Sequence, residues 1–296
     1  AVEAAGLLGH GGAAFPAGRK WRLASQAESA SGERYVVANG GEHEPGSEKD
    51  KFLVAKYPHK VLEGLLLAAF ATGAKVGYVY LIEDMDAQLE AIELAIDELH
   101  SAALLEDFDV RVHRAPTTYV AGEETAALDS IEGGPGKPRK KPPYPGEAGL
   151  FGAPTTVNNV ETLAHVPFIV EHGAEAYRAL GTEDSPGTML ITLGSRAKRP
   201  GVYEVEYGQW TLRQVLEELG GGPASGAAVR AVLPALSSSW VPAEDGCARR
   251  SVPGFPACRW CGGTSTTARR AVHPSASCDS GSRVRRAGRL PQSPPP

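Results

Sequence analysis

The chain has 296 residues, 42% hydrophobic and 22% charged, with a formal net charge of −5. Its longest apolar stretches, such as LEGLLLAAFATGA, fall well short of the roughly 20 residues of a membrane span, which argues against direct membrane insertion. Residues 246–296 carry nine Arg against one acidic residue, Asp279, so the overall −5 leaves −13 on residues 1–245, a field that repels nucleic acid.

In chain order, RYVVA at 34–38 is a short apolar run that stops at Asn39-Gly40-Gly41, which reads as a strand entering a turn. Pro58 opens a helix in which Val61, Leu62, Leu65, Leu66 and Ala69 share one face, and Gly73 ends it. AKVGYVYLI gives a buried strand over 75–82. A helix follows with Leu89, Ile92, Ile96 and Leu99 at spacings of three and four, capped by Asp84 or Asp86. DVRVHRA is the next strand, 109–115, and the alternation predicts parallel crossovers in an α/β sheet. Residues 133–149 are rich in Pro, Gly and basic side chains and read as a loop or lid. A helix is expected after Thr155-Thr156. From about Gly187, strand TMLITLGS, turn RPG, strand VYEVEYG and helix TLRQVLEELGG form a small α+β module.

Four segments bear on chemistry. GLLGHGGAAFPAGRKW, residues 6–21, leaves the backbone N–H groups around Gly9, Gly11 and Gly12 uncovered, with Arg19 or Lys20 as counter-charge. Alone, it fits an ordinary glycine-rich turn as well as a phosphate loop, because no strand precedes it. NGGEHEPGSEKD, residues 39–50, sets Asn39, Glu42 and Glu44 just beyond a strand end, where α/β folds take ligands; a solvated acidic loop reads equally well. YVAGEET at 119–125 brings Glu123 and Glu124, and PTTVNNVETL at 154–163 brings Asn158 and Asn159.

Taken in this order, the segments resemble the NADH-oxidising, FMN-binding subunit of respiratory complex I and the related diaphorase subunits of NAD-linked hydrogenases and formate dehydrogenases. The likeness runs over about 5–235 and includes KPPYP, GLFGAPTTVNNVETL and RPGVYEV. It implies a Rossmann-like parallel-sheet domain for FMN and NADH over 1–182 and a small ubiquitin-like β-grasp domain over 183–240. It also implies that Gly9, Gly11, Gly12 and Lys20 hold FMN, with Asn39, Glu42, Tyr119, Gly122, Glu123, Asn158 and Asn159 lining the rest of its pocket. Phe15, Glu44, Glu124, Lys141 and Tyr144 would receive NADH, the aromatic rings stacking on adenine. The hydride passes from nicotinamide to flavin, so the resemblance implies no catalytic side chain and no metal at this step. The implied partners are a thioredoxin-like iron–sulfur subunit and a larger iron–sulfur subunit, in a cytoplasmic complex peripheral to the inner face of the membrane. A non-catalytic assembly module is the alternative from another class. It draws on three departures from the family pattern: His10 and Ala14 for Arg and Gly, Gly41 for Asp, and Leu23 for an aromatic residue.

The family continues into a helical domain whose Cys-x-x-Cys-x-x-Cys run binds a tetranuclear iron–sulfur cluster. That run is missing from this sequence, whose four cysteines are Cys247, Cys258, Cys261 and Cys278. Cys258, Cys261, His273 and Cys278 mimic a zinc-knuckle spacing but have no apolar scaffold, and no metal site is expected there. Residues 246–296 are expected to be a disordered tail, read in a shifted frame, in place of the iron–sulfur domain.

Overall fold

The computed structural model describes residues 1–234, 241–242 and 285–288. Its centre is a four-stranded, all-parallel sheet in the order β3-β2-β1-β4. The strands are β1 (Tyr35–Asn39), β2 (Val76–Ile82), β3 (Asp109–Ala115) and β4 (Thr155–Asn159). The first three lie where the apolar runs predict them.

The β1–β2 crossover holds two helices, α3 (Lys49–Lys56) and α4 (Pro58–Thr72); α5 (Asp86–Ser101) joins β2 to β3. α4 begins on Pro58 and ends on Gly73 in the left-handed conformation, as its sequence signals require. The α5 cap differs from expectation: Met85 occupies it without a side-chain hydrogen bond, and Asp86 lies in the first turn, where its charge favours the helix dipole.

β1, β2 and β4 are buried on both faces, whereas the edge strand β3 is buried only at Ala115. Val36, Ala38, Val79 and Leu81 point into a large core under α4, α5 and α7 (Val160–His172). Val37, Tyr78, Tyr80 and Val157 point the other way, onto α6 (Glu124–Ile131). Helix α4 crosses α7 so closely that a Cβ at Gly64 would lie 2.1 Å from the Leu163 carbonyl oxygen. Only glycine permits that approach.

The main correction concerns Thr155–Asn159. The sequence reading starts a helix here, but these residues form β4, paired with β1 from Tyr35↔Thr155 to Asn39↔Asn159. Thr155, Thr156 and Val157 are β-branched and buried, which suits a strand covered on both faces. The helix starts one residue later: Asn159 is its N-cap, accepting from the Glu161 N–H at 3.0 Å.

Before the sheet, α1 (Val2–Ala5) and α2 (Ala17–Gln26) bracket the glycine segment. After α7 come a short helix, α8 (Ala174–Arg178), and a two-residue pair, β5 (Gly181–Thr182) with β6 (Ser185–Pro186). The second unit is an antiparallel hairpin of β7 (Thr188–Leu193) and β8 (Gly201–Glu206), followed by a helical segment over Leu212–Leu219. A reciprocal Thr211–Gln214 capping box starts that segment. Leu193, Tyr203, Val205, Trp210, Val215 and Leu219 give the unit its own core.

Most of residues 246–296, with all four cysteines, lies outside the described residues, so the tail and zinc-knuckle readings fall there too. Residues Arg285–Gly288 are described, and they pair antiparallel with β8. The composition of the tail gave no sign of a strand; the open edge of β8 supplies the unpaired backbone groups that recruit one.

Candidate functional site

Strand order 3-2-1-4 reverses direction between β1 and β4. The carboxyl ends of those strands, Asn39 and Asn159, lie side by side at this switch point, where open parallel sheets form their ligand crevice. All four sequence segments meet there.

The glycine segment is closed at its base. The Gly9 N–H donates to the Phe15 carbonyl at 3.0 Å and the Ala17 N–H to that of Leu7 at 2.9 Å. Its tip is different: among the described residues, no protein acceptor takes the N–H groups of Gly11, Gly12 or Ala13. Gly12 has φ +110°, a conformation that side chains resist, and a Cβ on Gly11 would lie 3.3 Å from Cβ of Asn159. The tip is thus a turn of free backbone donors, pressed against the switch point and followed by the N-terminus of α2. Such a turn suits a phosphate.

From α2, Lys20 reaches into the sheet end, donating to the Val157 carbonyl at 2.9 Å and approaching Glu124 Oε2 at 3.4 Å. Trp21 Nε1 donates to Asn158 Oδ1 at 2.7 Å, so buried Asn158 fixes α2 on β4. Asn39 Nδ2 donates to the Gly122 carbonyl at 3.1 Å, and its Oδ1 accepts from the Gly41 N–H at 3.0 Å. Tyr119 donates to Glu44 Oε2 at 2.8 Å, which pushes the Tyr119 phenol above its usual range, with burial adding to the shift.

Glu123 caps α6, accepting from the N–H groups of Thr125 at 2.7 Å and Ala126 at 3.1 Å. Lys141 bridges Glu123 at 2.8 Å and Glu124 at 2.7 Å. Burial works to raise both carboxyls, but the lysines overcome it: Lys141 for Glu123, Lys20 with Lys141 for Glu124. Both acids stay below the usual carboxylate range. The basic loop is therefore pinned to the site through Lys141.

Three expected residues are placed differently from the rest. Glu42 is buried and engaged with the start of α3, accepting from the N–H groups of Lys49, Asp50 and Lys51, each at 3.0 Å, and from the Ser47 hydroxyl. Tyr144 has an exposed ring, and its backbone N–H donates to Glu147 at 2.9 Å. Phe15 is also exposed, with the Arg19 guanidinium 5.7 Å from its ring centre.

Sequence reasoning missed a buried charged seam behind the switch point. Lys49 Nζ lies 2.6 Å from Asp50 Oδ1, 2.8 Å from Glu161 Oε2 and 3.3 Å from Asn159 Oδ1. Asn159 Nδ2 donates to Asp50 Oδ2 at 2.6 Å. Burial raises Asp50 to about 7 against the pull of Lys49. Glu161 is held below the usual range because Lys49 overcomes its burial. Its Oε1 accepts from the Leu190 N–H at 2.6 Å, which ties this seam to β7. The available signal was the presence of Lys49, Asp50 and Glu161 in two of the quoted segments, at helix starts that are otherwise buried.

Comparison with known proteins bears on the family of the chain. The family described as the Nuo51 FMN-binding domain matches residues 2–168. An NADH-quinone oxidoreductase subunit of Rhizobium meliloti is 42% identical over 241 residues, 79% of this chain and 56% of that protein. The NAD-reducing hydrogenase HoxS subunit alpha of Cupriavidus necator is 43% identical over 223 residues, 72% of this chain and 36% of that one. A crystal structure of an NAD+-reducing NiFe-hydrogenase in the H2-reduced state superposes with a TM-score of 0.79 at 38% identity, covering 86% of this chain and 44% of that one. The chain thus spans about half the length of its quinone-oxidoreductase relative. With the switch-point crevice, the free-donor loop and the family match in agreement, the chain belongs to the Nuo51 FMN-binding domain family.

Proposed function

We propose that the chain binds FMN at the carboxyl ends of β1 and β4 and passes hydride to it from NADH, as the electron-input unit of a larger oxidoreductase. The observation that carries this reading is the turn of unpartnered N–H groups at Gly11–Ala13, set against Asn159. Bound FMN would supply the redox chemistry, taking hydride from the nicotinamide.

The work of the chain is alignment and exclusion. The N–H groups of Gly11, Gly12 and Ala13 would hold the phosphate, while Lys20 stands at the sheet end. Asn39 and Gly122, joined by one hydrogen bond, form a wall. The exposed rings of Phe15 and Tyr144 offer faces to adenine, and Leu23, also exposed, adds an aliphatic surface where the family pattern has an aromatic residue. Glu44 and Glu124 disfavour a 2′-phosphate, which selects NADH over NADPH.

The names of the relatives support a multi-subunit setting, and the partners proposed are the thioredoxin-like and the larger iron–sulfur subunits. Among the described residues, no helix is long and apolar enough to cross a membrane, in keeping with a peripheral place on the cytoplasmic face. A second reading, the diaphorase of a NAD-linked hydrogenase, is supported by the hydrogenase likeness.

The test is to load the full chain with FMN, remove free flavin, and record visible absorbance and NADH–ferricyanide turnover. Retained flavin with turnover is expected. Absence of both would overturn the reading and favour the assembly module.

A further inference from the structure

His10 stands at the tip of the glycine loop, yet its side chain is buried. Its backbone N–H donates to Thr162 Oγ1 at 2.9 Å, which fastens the loop to α7. Its ring runs into the space between the parallel-sheet domain and the hairpin. Nε2 lies 3.1 Å from the Thr188 carbonyl oxygen, at the first residue of β7. A carbonyl only accepts, so Nε2 is the donor in this contact. Nδ1 is buried without a partner. The ring stacks on His165 with centroids 4.7 Å apart and lies 6.0 Å from that of Tyr207.

The position is not a cation site as built. His10, Glu161 and His165 bring ligand atoms within 4.8 Å of one another, but the Lys49 ammonium, 2.8 Å from Glu161 Oε2, already serves as the cation there. What the geometry provides instead is a clamp. On the loop tip, His10 is flanked by Gly11, Gly12, Ala13 and Ala14, none of which has a side chain able to hydrogen-bond. Two contacts of one residue therefore hold the tip, one to α7 and one to β7.

We propose that His10 is a positioning residue for the flavin phosphate: by clamping the loop tip between Thr162 and the Thr188 carbonyl, it makes the hairpin unit a determinant of cofactor affinity. The inference rests on the reading that this loop receives the phosphate. It assigns a role to the residue that replaces the family's Arg, and it predicts that the effect is specific to the phosphate end of the cofactor. A residue that only stabilised the fold would act on all flavins alike.

The experiment measures dissociation constants of FMN and of riboflavin, which lacks the phosphate, for the full chain and its variants by flavin fluorescence. The wild type is expected to prefer FMN by at least about tenfold. His10→Ala should weaken FMN about tenfold, since it frees the tip from β7, while riboflavin changes by less than about twofold. His10→Gln, whose amide N–H can reach the Thr188 carbonyl, should recover most of the loss. Should His10→Ala fail to fold, Thr162→Val removes the acceptor of the His10 N–H at nearly constant shape. It should weaken FMN about fivefold and leave riboflavin unchanged. Equal losses for both flavins, or none for either, would overturn the positioning role. Equal affinity of the wild type for the two flavins would overturn the phosphate assignment itself, and the role of His10 with it.

Discussion

Two short stretches of this chain present rows of backbone N–H groups, and they have opposite fates. At the start of α3 the donors of Lys49, Asp50 and Lys51 converge on the buried carboxylate of Glu42. At the glycine-loop tip the donors of Gly11, Gly12 and Ala13 converge on nothing among the described residues. The first turn carries its own anion and is complete without a ligand. The second has the same donor chemistry and lacks the anion. Clustered N–H groups alone do not mark a binding site; what marks it is whether the sequence also supplies the charge that satisfies them.

The comparison breaks first at Glu42. Replacing it by Ala leaves the N–H groups of Lys49, Asp50 and Lys51, one buried and two partly buried, unsatisfied and removes a carboxylate from beside the Lys49 seam, so stability to urea should fall by about 3–5 kcal/mol. A loss below about 1 kcal/mol would mean that the carboxylate is not structural and is available to a ligand. Next in size is Gly12→Val. At φ +110° a branched side chain forces the tip to move, so FMN affinity should drop about tenfold while the melting temperature changes little. If instead the melting temperature falls sharply while FMN affinity below it is kept, the glycine turn is structural and not a binding element.

The smallest effect expected is a pH dependence of the seam behind both turns. Burial holds His10 below 6.5, and His165 falls to about 3 chiefly by burial. The unfolded chain therefore binds more protons than the folded one between pH 6.5 and about 3, and these two groups destabilise the fold as pH falls through that window. Asp50, raised to about 7, acts in the opposite sense, so a difference measurement isolates the histidines. The melting temperature of His165→Gln relative to wild type should rise as pH is lowered from 6.5 to about 5. A difference that stays constant over that range would show that His165 titrates normally in the fold.

The sheet was legible where pattern and burial agree. β1, β2 and β3 are apolar runs ended by turn residues, and α4 carries its own start and stop signals. β4 was not legible, because TTVNN runs straight into the helical periodicity of VETLAHVPF and becomes a strand only through pairing with β1. That misplacement hid the purpose of the Asn pair. On a surface helix, Asn158 and Asn159 would be adjacent polar groups; at a strand end one is a buried anchor for Trp21 and the other caps α7. The order of the motifs named residues that the structure gathers at one end of the sheet, but not which of them are structural. Glu42, Glu44 and Glu124 look alike as letters. They separate only in three dimensions: the first caps a helix, the second accepts a tyrosine hydrogen bond, and the third balances two lysines.

The clamp at His10 also has a consequence in time. Its two anchors lie 152 and 178 residues downstream, at Thr162 and Thr188. At roughly 5–20 residues per second of synthesis, the loop emerges about ten to thirty-five seconds before the strand that will hold it. On the proposed clamp, the tip gains its last anchor only when the hairpin is made, so tight flavin uptake would follow synthesis of the second unit. Cofactor loading would then be a late event, ordered by the distance along the chain between a loop and its clasp.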